Sequence, residues 1–304
     1  MPELQVRIAL PYYLRISQGE YETGKAGESL QVVAPQLVEN EPPRTSIQAR
    51  FTHDEIADAD GIQRLKIRDA DQLLWRTNRL LRWYRSVTRR ADVSELTRAQ
   101  ASPFSFEVLV GAFDPAWSTP LPFEGGGPQP LPLPPAELND RVSAGLGSGN
   151  EPDVAELFIL DAESALHQGR FRETVLFCWS TIDSVFNRKY DALVRVALAA
   201  EWAQAREFFT GGDFGLKNKM SAALYLVANR SLFREPNNFW QKLSESYNKR
   251  NTIIHRGANA NEDEARQAID VAQCIVSTMN SIAVPEPPPA APAVIVPPPQ
   301  AAPG

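Results

Sequence analysis

The chain contains little cysteine and little histidine. Its 304 residues include two cysteines and three histidines. Cys178 and Cys274 both lie in helical apolar patterns, so we expect two buried thiols in a reducing cytosol. His53, His167 and His255 share no metal-ligand spacing with one another or with a cysteine. The sequence therefore predicts neither a metal site nor a cofactor.

Long apolar runs and an excess of positive charge are also absent. No apolar run approaches the roughly 20 residues that span a bilayer, and residues 1–16 lack a charged leader followed by an apolar core. We therefore expect a cytoplasmic chain without a membrane partner. The net charge is −6, from 31 basic and 37 acidic residues, so no general positive field would hold the chain on nucleic acid. Any contact with RNA must be local.

Two proline-rich stretches divide the chain. Residues 115–149 are predicted to be a Pro/Gly-rich linker, extended and semi-rigid, because proline lacks an N–H and fixes φ. Residues 285–304 are predicted to be a disordered or polyproline II tail. Such a tail either binds an aromatic groove of a protein partner or is solvated without a role. These stretches leave residues 1–114 and residues 150–284 as two predicted domains.

The N-terminal domain has a mixed pattern of strands and one helix. Four segments have the alternation or the composition of strands: residues 4–10, 29–33, 46–51 and 104–110. A helix is predicted at residues 69–90, because apolar residues recur there at helical spacing. His53 falls in a polar stretch and is expected in a loop.

The predicted helix at residues 69–90 carries six arginines, with Trp75 and Trp83 among them. Arginines interleaved with aromatic residues could follow an RNA backbone and stack on bases. They could equally form a solvated face whose stems cover apolar surface. Residues 1–114 contain 15 basic and 16 acidic residues, so the domain as a whole is not basic.

The pattern becomes wholly helical from Asn150 onward. Five or six helices are predicted, from apolar periodicity at about 150–168, 170–189, 193–209, 216–228, 237–255 and 261–282. Short turns between them favour an antiparallel bundle. The predicted fold class is therefore α+β, with a mixed N-terminal domain followed by an all-α domain. His167, near the end of the first of these helices, is expected at the surface or at a helix cap.

The helix at residues 237–255 has polar residues where a core helix would have leucine. Its predicted apolar stripe is Phe239, Leu243, Tyr247 and Ile254. The stripe passes through Arg250 and Asn251. Burying these groups unpaired would cost several kcal/mol. They must therefore face a partner, a ligand or a subunit interface.

Arg250, Asn251 and His255 have the chemistry needed to cleave RNA without a metal. His255 follows Asn251 by four residues, so the amide could fix the imidazole tautomer by a hydrogen bond. An imidazole that titrates near neutrality moves a proton from a 2′-hydroxyl or to a leaving oxygen. An arginine fork stabilises the charge that builds on the phosphate.

This segment resembles the motif of HEPN domains, in which arginine and a polar residue are followed by three residues and histidine. Arg250, Asn251 and His255 match it, and Gly257 follows as in many bacterial members. Asp183 in the predicted second helix and Lys219 upstream of the motif add to the resemblance. It covers about 130 residues, from about Asn150 to Ala283, and includes a regular terminal helix.

The resemblance implies an all-helical domain that pairs as a homodimer, with two Arg–His sets meeting in a cleft. Catalytic members of the family cut single-stranded RNA, mRNA or tRNA, leaving 2′,3′-cyclic phosphate and 5′-hydroxyl ends. Many are toxins or effectors of abortive infection and anti-phage defence. Other members have lost cleavage and bind nucleotides, RNA or proteins.

A purely structural role for the motif is the alternative. Arg250 could pair with Asp183 or Glu163 across the bundle, and His255 would then be a helix C-terminal residue favoured by the dipole. The two carboxylates could also orient Arg250 from behind in an active site. The sequence thus predicts Arg250, Asn251 and His255 as the site, with Asp183 and Glu163 supporting it.

Overall fold

The computed structural model of the chain describes residues 3–24, 28–33, 44–53, 59–101, 104–108, 112–113, 135–198 and 202–285. The predicted tail beyond Pro285 lies outside the described residues, as does the part of the predicted linker at residues 115–134. None of the helices within these ranges is both long and apolar enough to cross a membrane.

The N-terminal part folds as a six-stranded antiparallel sheet with the strand order β2-β3-β4-β1-β5-β6. The strands are β1 (Glu3–Ala9), β2 (Gly19–Glu22), β3 (Ser29–Val33), β4 (Ser46–Thr52), β5 (Ser105–Val108) and β6 (Ala112–Phe113). In β1, Leu4, Val6 and Ile8 are buried and the residues between them are not. This period of two places one face of the sheet on the core, as the alternation in the sequence predicted.

The long helix α1 (Ala59–Thr88) covers the buried face of the sheet. It begins ten residues earlier than residue 69, where the sequence pattern placed its start. Five of its side chains enter the same core as the strands: Leu73, Leu80, Leu81, Tyr84 and Val87. A short helix, α2 (Arg98–Ala101), follows it and adds Ala101 to this core.

The prediction of a linker is wrong for residues 135–147, which form helix α3 (Pro135–Gly147). Leu138, Val142 and Leu146 recur every four residues on one face and are fully buried in the N-terminal core. Proline is tolerated at the first position of a helix, and none follows it before Gly147. Gly145 lies against the Trp83 ring of α1, where a Cβ would collide with the indole.

Every described element after α3 is helical, as predicted. The helices are α4 (Val154–His167), α5 (Phe171–Ala197), α6 (Ala203–Thr210), α7 (Leu216–Asn218), α8 (Leu224–Ala228), α9 (Phe239–Arg256) and α10 (Glu262–Ser281). A π-helical turn, Lys219–Ala223, joins α7 to α8. Asp153 caps α4, because its carboxylate accepts a hydrogen bond from the Ala155 N–H at 2.9 Å. The α+β class is therefore confirmed.

The chain divides into two compact units that do not follow the predicted domains. The first unit is Met1–Thr181 with Glu245–Ala272, and the second is Ile182–Ser244 with Gln273–Gly304. Helix α4 therefore belongs with the sheet. Polar contacts from α1 explain this grouping, because Arg85 binds Asp161 of α4 at 2.6 Å and Ser86 binds Glu156 at 2.8 Å.

Candidate functional site

The buried face of α9 is shifted by one position from the predicted stripe. Phe239, Leu243, Ser246 and Ile253 are buried, whereas Ile254 is 49% exposed. Either of the adjacent isoleucines, Ile253 or Ile254, could have been assigned to the buried face from the sequence. Ser246 is polar, so its sequence position did not mark it as buried, and the wrong isoleucine was chosen. Arg250 lies on the true stripe, four residues after Ser246 and three before Ile253, and is half-buried.

Two contacts inside the first unit hold this part of α9 in place. The indole Nε1 of Trp179 on α5 donates to the Ser246 hydroxyl at 3.0 Å, and both side chains are buried. The Trp179 ring also meets the Tyr247 ring edge-on, with the ring centres 5.3 Å apart. The serine is therefore stable in the core, because it satisfies the buried indole N–H.

The turn after α9 is fixed at both of its ends. Gly257 has a left-handed φ of +65°, and its N–H donates to the Ile253 carbonyl at 3.0 Å, which ends α9 in a common glycine motif. Helix α10 begins with a reciprocal capping box, in which Asn261 and Glu264 each accept the other's backbone N–H at 2.9 Å.

Lys249 of α9 binds Glu264 across this turn at 2.6 Å. Burial acts to raise the pKa of Glu264, but the hydrogen bonds from Lys249 and the Asn261 backbone lower it overall. Glu264 is therefore ionised at neutral pH. The last turns of α9 are thus held firmly, and the side chains they carry project from a fixed position.

The structure joins Arg250 and Asn251 by a hydrogen bond that does not include His255. The guanidinium of Arg250 donates to the Asn251 amide oxygen at 3.1 Å. His255 is exposed in the last turn of α9, and within the described part of the chain its ring makes no hydrogen bond. Asn251 therefore orients the arginine, whereas the sequence predicted that it would orient the histidine.

The end of α9 concentrates positive charge in an otherwise acidic chain. Lys249, Arg250 and Arg256 lie in its last eight residues, and His255 lies among them. The negative end of the helix dipole favours cations here, which suits both an anion site and the structural alternative. The exposed Ile254 beside His255 adds an apolar element to this surface.

The two predicted supporting carboxylates lie in different units. Glu163 is half-buried on α4 in the first unit, where it lines a cleft with Arg89 and His167. Asp183 is half-buried on α5 in the second unit. Both carboxylates have interaction partners. Their predicted contact with Arg250 stays a prediction.

Three of the six arginines of α1 are buried: Arg76, Arg79 and Arg85. Arg76 donates to the Ser29 carbonyl at 2.9 Å, and Arg79 to the carbonyls of Thr23 and Asn150. Burial lowers the pKa of Arg76, although nearby carboxylates partly offset this. These three side chains therefore form neither a solvated face nor an RNA-binding face, because their guanidinium groups are buried and bonded to other parts of the chain.

His53 lies just after β4, outside the regular elements as expected, but it is buried. Its Nε2 lies 2.7 Å from the carboxylate of Asp69, which is fully buried on α1, and Arg68 donates to its Nδ1 at 3.0 Å. Both ring nitrogens are occupied, so this histidine stabilises the fold and is not available as a base.

Lys219 in the π-helical turn is buried, which the sequence did not indicate. Its ammonium donates to the Thr210 carbonyl at 2.6 Å and lies 6.0 Å from the centre of the Tyr190 ring. No carboxylate pairs with it among the residues that the structure describes. This arrangement belongs entirely to the second unit.

Neither thiol has surroundings that favour the reactive thiolate. Cys178 is fully buried as expected, and burial raises the pKa of its thiol, with the Glu163 charge adding to the effect. Cys274 is only partly buried, and burial raises its pKa as well. Within the described ranges, no group of three or more histidine, cysteine, aspartate or glutamate side chains is placed to hold a metal.

Comparison with protein families, with curated proteins and with solved structures finds no match to this chain. The arrangement on α9 is therefore interpreted from its own chemistry and from the resemblance of its motif to HEPN domains.

Proposed function

We propose that this chain is a metal-independent endoribonuclease of the HEPN type, whose catalytic residues are Arg250 and His255. The supporting observation is the placement of Arg250. A charged side chain lies on the core stripe of α9, held by Asn251, while an exposed histidine lies five residues further on, at the same end of a well-anchored helix.

The proposed reaction is an internal transesterification. The 2′-oxygen of a ribose attacks the adjacent phosphorus, the bond from phosphorus to the 5′-oxygen breaks, and the products are a 2′,3′-cyclic phosphate and a 5′-hydroxyl. One proton leaves the 2′-hydroxyl and one reaches the departing 5′-oxygen. His255 performs one of these transfers, and Arg250 stabilises the charge on the phosphoryl oxygens.

A second proton-transfer group is needed, and we propose that His255 of a second copy supplies it in a homodimer. The exposed Ile254 beside His255 supports this arrangement, because an apolar side chain at the catalytic surface gains from burial against a partner. The proposed substrate is single-stranded RNA, either mRNA or tRNA. The proposed setting is cytoplasmic, as a toxin or an anti-phage defence effector.

Cleavage of total RNA in excess EDTA tests the proposal. We expect wild-type protein to cut RNA and His255→Ala and Arg250→Ala to be inactive. Gln241→Ala, an exposed change in the first turn of the same helix, serves as the matched control and should cut normally. Toxic expression of the wild-type protein should disappear with His255→Ala. Toxicity that persists in this variant would contradict the proposed mechanism.

A non-catalytic binding module is the second candidate, and one observation favours it. The hydrogen bond of Asn251 goes to Arg250, so no described side chain orients the imidazole of His255. On this alternative, the positive end of α9 binds RNA, a nucleotide or a protein without cleaving it. His255→Ala would then leave the cellular phenotype intact, and Arg250→Ala would weaken binding.

A further inference from the structure

A polar cleft of about 610 Å³ lies within the first unit, and none of the proposed catalytic residues lines it. Three segments form its walls: the residues after β1, the turn that follows α1, and the last turns of α4. The side chains that line it include Tyr12, Arg89, Asp92, Ser94, Glu163 and His167. We call this the α1–α4 cleft. Its volume falls within the roughly 300–1,000 Å³ of small-molecule sites.

Arg89 is the unusual residue of the cleft. It ends α1 with a left-handed φ of +58°, and its N–H donates to the Arg85 carbonyl. This position normally carries glycine, because a Cβ is disfavoured there. The Arg89 guanidinium has no hydrogen bond or ion pair within the described residues, whereas Arg90 beside it binds Asp92. A strained backbone that presents an unpaired cation to a cleft points to a function.

The wall next to Arg89 is already rigid. Two guanidinium nitrogens of Arg90 donate to the two carboxylate oxygens of Asp92. Burial acts to raise the pKa of Asp92, but the hydrogen bonds and charge of Arg90 lower it overall, so the group is ionised. The hydroxyls of Tyr12 and Ser94 are 2.6 Å apart and hydrogen-bonded. These side chains would therefore need little reorganisation to bind a ligand.

The opposite wall supplies a second carboxylate and a histidine. Glu163 and His167 are four residues apart, on one face of α4. The cleft thus combines two sites for an anion, Arg89 and His167, with two carboxylates that accept hydrogen bonds. A simple anion would be repelled by the carboxylates. A ligand that carries both a negative charge and hydroxyl or amino donors would satisfy both kinds of group.

We propose that the α1–α4 cleft binds a nucleoside monophosphate. Arg89 and His167 hold the phosphate, and Asp92 and Glu163 accept hydrogen bonds from the ribose hydroxyls or the amino group of the base. This site does not rest on the proposed ribonuclease activity, because neither Arg250 nor His255 lines it. The first unit would then bind a small ligand at a site separate from Arg250 and His255.

Isothermal titration of the full chain with the four nucleoside 5′-monophosphates tests the site, with inorganic phosphate and the unphosphorylated nucleosides as separate arms. We expect one or more monophosphates to bind and to raise the unfolding temperature. Arg89→Ala should raise the Kd tenfold or more. Arg98→Ala, which removes an exposed arginine of the same unit, should leave it unchanged. Failure of all four to bind the folded protein at millimolar concentration would overturn the proposal.

Two further variants separate a loss of binding from a loss of folding if Arg89→Ala folds poorly. Arg89→Gly suits the left-handed backbone, so it should fold at least as well as the wild type and still lose binding. Glu163→Gln should weaken the monophosphates more than inorganic phosphate. Equal binding of inorganic phosphate and the monophosphates, with no effect of Glu163→Gln, would show an anion site alone and overturn the nucleotide assignment. Binding that survives Arg89→Gly would overturn the site itself.

Discussion

Removal of Asp161 should destabilise the chain far more than removal of a comparable surface carboxylate. Asp161 on α4 accepts a 2.6 Å hydrogen bond from Arg85 on α1, whose side chain is only 4% exposed. The change Asp161→Ala leaves that guanidinium buried without its bonded partner. The ion pair is a link between the sheet-covering helix and the first helix of the predicted C-terminal domain.

The magnitude follows from the exposure of the two side chains. Breaking a fully buried ion pair costs about 3–5 kcal/mol, whereas an exposed pair contributes about 0–1 kcal/mol. The side chain of Asp161 is 34% exposed, so water reaches one partner, and the charge of Asp92 remains near Arg85. We therefore expect a loss of about 1–3 kcal/mol, between these two limits.

Urea unfolding followed by circular dichroism measures this loss. Glu173→Ala is the matched control, because Glu173 pairs with Arg170 and both side chains are 45% exposed. It should cost less than about 1 kcal/mol. Adding Arg85→Met to Asp161→Ala should recover part of the loss, because the unpaired charge is removed. Equal effects of Asp161→Ala and Glu173→Ala would refute the argument that the arginines of α1 serve the fold.

Three substitutions and one labelling experiment test other parts of the structure. Ser246→Ala should cost about 1–3 kcal/mol in urea unfolding, because it leaves the buried indole N–H of Trp179 unsatisfied. Arg89→Gly should raise stability by about 0.5–1 kcal/mol, because a left-handed residue is relieved; a loss of stability would contradict the strain. Burial raises the pKa of Tyr190 to about 12, with Asp191 adding to the effect, so the contribution of this tyrosine to stability is complete below pH 10 and lost as the pH rises through 12. In urea unfolding measured at a series of alkaline pH values, Tyr190→Phe should lose less stability than the wild type between pH 10 and 12. Equal losses in the two proteins would contradict the raised pKa of Tyr190. Cys178 should resist alkylation at pH 8 until urea is added, because burial raises its pKa and shields it; rapid labelling of the folded protein would contradict this.

Four of the six strands and most helices could be predicted because each carries its own pattern. The alternation of Leu4, Val6 and Ile8 needs no knowledge of the rest of the chain. Helix α3 was missed because the prolines before residue 135 dominate its surroundings. The buried face made by Leu138, Val142 and Leu146 is nevertheless visible in the sequence once the segment is considered alone.

The roles of the arginines could not be predicted, because their partners are distant in sequence. Arg79 donates to the carbonyls of Thr23 and Asn150, which lie 56 and 71 residues away. A local sequence pattern distinguishes a charged helix face from an apolar one. It does not predict which distant backbone carbonyl will contact a guanidinium in the folded chain. The same reason applies to His53, whose partner Asp69 is 16 residues away on another element.

The position of Arg250 on α9 could be predicted, but its contacts could not. Arg250 does lie on the core stripe of α9, as the conflict between its charge and its position indicated. The phase of the helix was wrong by one residue, because Ile253 and Ile254 are equally apolar and Ser246 is polar yet buried. The hydrogen bond of Asn251 to Arg250 depends on side-chain rotamers, which spacing along a helix does not determine.

The most direct test of the central proposal is the chemistry of RNA ends produced by purified protein in excess EDTA, with wild type and His255→Ala compared side by side. We expect wild type alone to produce fragments with 2′,3′-cyclic phosphate and 5′-hydroxyl ends. Equal cutting by folded His255→Ala, or activity that requires a divalent metal, would contradict the assignment of Arg250 and His255 as a metal-independent ribonuclease site.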